Sequence, residues 1–146
     1  MDFKKLFELR EYNELYQKDI AKILNVSQQL YSFWEKGTKI IPLKHLNTLC
    51  NYYKVSMDYI LILSNENKFS NIKNNLDKKY IGYNIKTIRE KNKLSQRDLA
   101  KILNTTSSTI CAYEKGKTLI LTAFAYQICK EFKVSMDWLC GRIQKS

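Results

Sequence analysis

The 146-residue chain carries 25 Lys and Arg against 14 Asp and Glu, a formal net charge of +11. That balance favours a polyanionic partner, because clustered cations gain affinity for nucleic acid by releasing condensed counterions. It holds no apolar run of the roughly 18 residues that span a bilayer, and its four glycines form no phosphate-cradling loop, so neither a membrane partner nor a nucleotide cofactor is expected.

In chain order, Phe3, Leu6, Phe7 and Leu9 recur at helical spacing and predict a first helix. Asp2, Lys4, Lys5 and Glu8 break up any continuous apolar core at this end, so no secretory signal is read and a cytoplasmic, nucleoid-associated location is expected. Ile20, Ile23 and Leu24 predict a short second helix. Ser27 is placed to cap a third that runs to Lys36, where Gly37 supplies a left-handed stop. Pro42 suits the first turn of a fourth helix carrying Leu43, Leu46, Leu49, Cys50 and Tyr53. Ser56 can cap a fifth with Met57, Tyr59, Ile60 and Leu63.

Residues 64–79 then read as a linker rich in Asn and Lys, a flexible or weakly ordered strap. At ~3.3 Å per residue it reaches up to roughly 50 Å, beyond the ~34 Å between DNA half-sites one turn apart. Phe69, Ile72 and Leu76 offer the alternative of a short docking helix.

After the linker the chain repeats itself at a constant offset of 79 positions, as Gly37 and Gly116 show. Leu9-Arg10-Glu11 returns as Ile88-Arg89-Glu90, and Asp19-Ile20-Ala21-Lys22-Ile23-Leu24-Asn25 as Asp98-Leu99-Ala100-Lys101-Ile102-Leu103-Asn104. Glu35-Lys36-Gly37 returns as Glu114-Lys115-Gly116, and Val55-Ser56-Met57-Asp58 as Val134-Ser135-Met136-Asp137. Two copies without insertion predict tandem domains rather than a solenoid. The expected architecture is all-α, with five helices in residues 1–63 and five in residues 80–146. Only Asn25 to Ser27, and Asn104 to Thr106, separate the second and third helices, so each pair must cross steeply to share a core.

The copies differ in charge. Residues 1–67 hold nine Lys and Arg against eight Asp and Glu, whereas residues 80–146 hold twelve against five. Cys50 and Cys129 are repeat equivalents within apolar helix patterns, Cys111 and Cys140 lack metal-ligand spacing, and all four read as buried reduced thiols. His45 lies beside Lys44 without an evident carboxylate or thiol partner and reads as a surface histidine. No catalytic constellation, metal site or cofactor is expected.

Three motifs in order, each present twice, carry a resemblance. They are Ser95-Gln96-x-x-Leu99-Ala100-x-x-Leu103, Thr109-Ile110-x-x-Tyr113-Glu114-Lys115-Gly116 and Phe132-Lys133-Val134-Ser135-Met136-Asp137-Trp138-Leu139. The first copy matches with Gln17-x-x-Ile20-Ala21-x-x-Leu24, Trp34-Glu35-Lys36-Gly37 and Tyr53-Lys54-Val55-Ser56-Met57-Asp58-Tyr59-Ile60. Each copy resembles a phage-repressor-like (xenobiotic-response-element) helix-turn-helix domain, with a lambda-repressor-like fold.

The resemblance implies that the third helix of each copy enters the major groove of double-stranded DNA while the second helix's start holds a phosphate. Position by position, the implied base readers are Ser107, Ser108, Cys111 and Ala112 in the second copy. Gln28, Gln29, Ser32 and Phe33 stand there in the first. Thr106 and Ser27 fall where a cap or phosphate contact belongs. Gln17 and Gln96 align with the phosphate-bonding residue, and Lys36, Lys39, Lys115 and Lys117 flank the third helices where the DNA backbone would pass. Glutamine pairs bidentately with an adenine edge, so Gln28 and Gln29 are the sharper readers. Arg10 with Glu35, and Arg89 with Glu114, fall where the family places an ion pair.

Leu30, Tyr31, Phe33 and Trp34 crowd one short helix, and four large apolar groups cannot share a single core stripe. Phe33 is the one expected outside, to meet a thymine methyl or a protein. Tyr16 replaces the usual small cap before Gln17. The reading that follows is a sequence-specific DNA-binding regulator of transcription. The alternative is an adaptor or antitoxin-like regulator in which the first domain binds a protein partner, or a second copy, and only the second domain binds DNA.

Overall fold

A computed structural model describes residues 1–69 and 75–143. The described residues form ten α-helices and no strand, in two compact units that divide between residues 71 and 72. The first unit holds α1 (Lys4–Tyr12), α2 (Gln17–Leu24), α3 (Gln28–Lys36), α4 (Leu43–Tyr53) and α5 (Met57–Ile60). The second holds α6 (Lys78–Lys91), α7 (Gln96–Ile102), α8 (Ser107–Glu114), α9 (Thr122–Phe132) and α10 (Met136–Leu139). None of these helices is long and apolar enough to cross a membrane.

Local chemistry sets the helix ends. The Leu30 amide donates to Ser27 Oγ at 3.1 Å, the Thr109 amide to Thr106 Oγ1 at 3.2 Å, and the Tyr59 amide to Ser56 Oγ at 3.1 Å. Each bond satisfies an amide that the first helical turn leaves without a partner. Between α2 and α3, Asn25 takes a left-handed φ of 55°, and the Val26 amide returns to the Ala21 carbonyl at 2.9 Å. Asn104 (φ 55°) and the Thr105 amide on Ala100 repeat that turn. The sharp reversal needs a residue tolerant of αL, and Asn is one.

Leu6, Ile20, Tyr31, Leu46, Leu49, Met57 and Ile60 fill the first core, and Ile81, Ile85, Leu99, Ile110, Ile128, Met136 and Leu139 the second. Several residues that mark helices in the sequence nevertheless face out. Phe7 is exposed, lying 5.4 Å from the Arg10 guanidinium carbon, and Ile23 is exposed on α2. Both sit beyond the angular width that a nine- or eight-residue helix can turn to its core. Pro42 occupies the N-cap of α4 (ψ 148°) rather than its first turn.

The segment after α5 does not leave the first unit at once. The Asn67 carboxamide accepts from the Ser56 amide at 2.9 Å and donates to the Lys54 carbonyl at 3.1 Å, folding residues 64–67 back onto the end of α4. At the other end α6 begins at Lys78, two residues inside the expected linker, with the Asp77 carboxylate accepting from the Lys79 and Tyr80 amides. The docking helix considered for Phe69, Ile72 and Leu76 runs through residues 70–74, outside the described residues.

Candidate nucleic-acid interface

In both units one guanidinium fixes the helix-turn-helix pair to the first helix. Arg10 Nε donates to the two Glu35 oxygens at 3.0 and 3.3 Å, Nη2 donates to Oε1 at 2.8 Å, and Nη1 donates to the Leu15 carbonyl at 2.9 Å. Arg89 does the same in the second unit, with Nε on Glu114 Oε2 at 2.7 Å, Nη2 on Oε1 at 3.0 Å and Nη1 on the Leu94 carbonyl at 2.9 Å. The forked donor matches a carboxylate, so each pair sets an angle as well as a distance. These hydrogen bonds raise both arginine pKa values above the ordinary guanidinium range. Each Glu side chain is only 4% exposed. A carboxylate so enclosed presents little free negative charge at the end of α3 or α8.

In the second unit the network reaches one residue further. Gln96, the first residue of α7, donates from Nε2 to Glu114 Oε1 at 3.2 Å, so its amide is oriented by the same carboxylate. Around it lies a shallow groove of about 270 Å³ lined by Gln96, Ser107, Ser108, Cys111, Ala112, Lys115 and Lys117. The structure thus brings together the start of α7, the outer face of α8 and the two lysines that follow it. Ser107 and Ser108 are exposed, and Cys111 is half-buried rather than enclosed as the other three thiols are. The α8 side chains are short, which is why the surface is concave.

Lys79, which falls in the expected linker, lies in the first turn of α6 and comes up against the end of the α8 region. Its Cα and Cγ pack against Gly116, between Lys115 and Lys117. Asp77 ahead of the apolar period of Ile81, Ile85 and Ile88 was the available signal for an earlier helix start. Arg142 is another residue without a counterpart in the repeat, since Leu63 stands there in the first copy. Its buried Nε donates to Asp137 Oδ1 at 3.0 Å.

The equivalent surface of the first unit is built differently. Gln28 and Gln29 are exposed at the start of α3, while Ser32 and Phe33 are half-buried. Phe33 does not stand out as a free aromatic, because Lys39 Nζ lies over its ring at 5.0 Å from the centroid. Of the four large groups on α3, Tyr31 and Trp34 take the core positions. Burial, and after it the charge of Glu35, pushes the Tyr31 phenol far up and keeps it neutral. Trp34 stacks on His45 with centroids 5.1 Å apart, so that histidine is half-buried against α3 rather than a surface group. Burial, with Lys44 adding to it, lowers the His45 pKa. The corresponding pair in the second unit is Tyr113 and Phe124, at 6.4 Å.

Two short amphipathic helices on a three- to four-residue turn, held to a preceding helix and repeated after 79 residues, define a tandem helix-turn-helix protein. A family described as "Helix-turn-helix" matches residues 6–60, and one described as "Helix-turn-helix domain" matches residues 82–143. Among solved structures, the P22 c2 repressor protein in complex with a synthetic operator is 25% identical, with a TM-score of 0.39, over 40% of this chain and 89% of that one. The clp gene regulator ClgR from Corynebacterium glutamicum is 15% identical, with a TM-score of 0.41, over 44% of this chain and 69% of that one. No curated protein matches the chain. Among the described residues, no cluster of three or more His, Cys, Asp or Glu is arranged to hold a metal ion.

Proposed function

We propose that the chain is a sequence-specific, non-catalytic regulator of transcription in the cytoplasm, which places α8 in the major groove of double-stranded DNA. The observation that carries this reading is the α8 groove with its cationic rim. Ser107, Ser108, Cys111 and Ala112 would meet base edges there, Gln96 and the α7 amides would hold a phosphate, and Lys79, Lys115 and Lys117 would follow the backbone. In the first domain, α3 would offer Gln28 and Gln29 to adenine edges, with Ser27, Gln17 and Lys39 nearest the backbone.

A second reading has its own support. The first domain exposes Phe7, Tyr12 and Tyr16 where the second carries Lys86, Lys91 and Ser95, so a protein partner on the first domain is chemically reasonable. An adaptor or antitoxin-like regulator would then use only the second domain for DNA.

Selection of bound duplexes from a random pool separates the two. The full chain should enrich a two-part site, Lys115→Ala with Lys117→Ala should lose most retention, and Gln28→Ala with Gln29→Ala should relax one half-site by ~1–3 kcal/mol per base pair. If the glutamine variant enriches the same single site as the parent, the first domain does not read DNA and the partner reading stands. If the parent retains no duplex at low salt, the regulator reading falls.

A further inference from the structure

The floor and the rim of the α8 groove differ in chemistry. Cys111 and Ala112, consecutive residues of α8, are half-buried in a hollow of about 270 Å³, with Ser107 and Ser108 exposed beside them and Lys115 and Lys117 exposed at its edge. The Thr106 and Thr109 hydroxyls, 3.0 Å apart, belong to the helix cap, where Thr106 Oγ1 accepts the Thr109 amide. A hollow of this kind fits a ligand that is anionic along its edge and carries a small apolar projection to seat on the floor. In the first domain the same positions hold Ser32 and Phe33. There a ring, with Lys39 Nζ 5.0 Å from its centroid, occupies the position at which Ala112 leaves room.

A base pair presents one small apolar projection in the major groove, the C5-methyl group of a pyrimidine. A thiol is only a weak donor and acceptor, and the Ala112 methyl is neither. A polar base edge pressed onto Cys111 and Ala112 therefore loses its water without gaining a partner. A methyl group placed there gains free energy by leaving water. The serine hydroxyls both donate and accept and so suit several base edges, which leaves the choice of base at this point to the apolar pair.

We infer, resting on the reading that α8 lies in the major groove, that Cys111 and Ala112 form a methyl-recognition subsite selecting a base pair with a pyrimidine 5-methyl group. Lys115 and Lys117 hold phosphates beside it. Thymine and 5-methylcytosine both carry that group at the same carbon, and the shared methyl is what the subsite recognises. Specificity at this point comes from shape and desolvation rather than from hydrogen bonds.

The test uses the full chain, in reductant, and the duplexes it enriches from two random pools, one with ordinary cytosine and one with every cytosine methylated at C5. Each thymine of an enriched duplex is replaced in turn by uracil, and each 5-methylcytosine by cytosine, changes that remove the methyl group and keep every hydrogen-bonding atom. The expected result is a position at which loss of the methyl weakens binding about fourfold, the worth of one buried methyl group. That effect should shrink to nearly nothing in Ala112→Ser and in the near-isosteric Cys111→Ser, both of which should keep the parent's far-ultraviolet circular dichroism. A thymine at that position in both pools identifies thymine as the source of the methyl, and a cytosine enriched there only from the methylated pool identifies 5-methylcytosine. Duplexes that stay bound with no methyl effect at any position overturn the inference and leave the regulator reading standing. So does a methyl effect that both variants retain in full. A chain that holds no duplex at low salt, as it would if the hollow served a protein, takes down both.

Discussion

Phe3 and Gly82 occupy the same position in the two domains and close the end of the third helix of the motif in opposite ways. In the first domain the chain turns into α1 only after Phe3, whose ring is buried and packs near Gly37. In the second, α6 starts four residues before Gly82 and crosses the end of α8 so closely that a Cβ there would run into the Tyr113 and Glu114 carbonyls. One domain fills the junction with a side chain and the other with backbone. Two copies of one motif can thus share every helix and still differ in what seats the third helix of the motif.

The largest expected effect comes from breaking the element both domains share. Glu114→Ala would remove the carboxylate to which Arg89 Nε and Nη2 and the Gln96 amide donate and leave the guanidinium charge unpaired, costing the second domain ~3–5 kcal/mol. Hydrogen exchange resolved by domain, followed through a denaturant series, would show that loss in the second domain alone. Gly82→Ala attacks the element that only the second domain has. It should cost ~1–3 kcal/mol through overpacking, whereas Phe3→Ala should cost the first domain a similar amount through a cavity, both read in the same experiment.

The charge difference is sharpened by salt. Lys115→Ala with Lys117→Ala should reduce the slope of log binding constant against log salt by ~2, about one for each phosphate that is no longer neutralised. Lys36→Ala with Lys39→Ala should do so only if the first domain also lies on DNA.

The caps differ as well. Ser95 and Asp98 form a reciprocal capping box, with the Asp98 amide on Ser95 Oγ at 3.0 Å and the Ser95 amide on Asp98 Oδ2 at 2.9 Å, and these bonds lower the Asp98 pKa. Tyr16 supplies no side-chain cap, while its amide donates to Asp19 Oδ2 at 2.7 Å. Ser95→Ala should therefore cost ~1 kcal/mol, and Tyr16→Ser should add up to about that much, as measured by thermal melting.

The smallest effect is a pH dependence confined to the first domain. His45 has a lowered pKa when folded, so the unfolded chain takes up its proton first as pH falls below about 6.5, and stability declines from there towards the folded value. His45→Phe, which matches Phe124, should flatten melting temperature against pH over that window.

Much of this protein was legible in the chain itself. The repeat, the helical spacing of Leu43, Leu46 and Leu49, the Ser27 and Ser56 caps and the left-handed stop at Gly37 are local signals, and each depends on neighbours within a turn or two. The pairing of Arg10 with Glu35 was available only through the family resemblance, because 25 residues of sequence separate the partners. What the tertiary structure decided were matters of which face meets which. Phe7 and Ile23 fit a helical period yet face out, Phe33 is sheltered by Lys39, His45 lies against Trp34, and the start of α6 at Lys79 packs on Gly116. Local propensity fixes where a helix begins and ends, but the rotation of that helix, and so the chemistry it displays, is set by the packing of residues far apart in the chain.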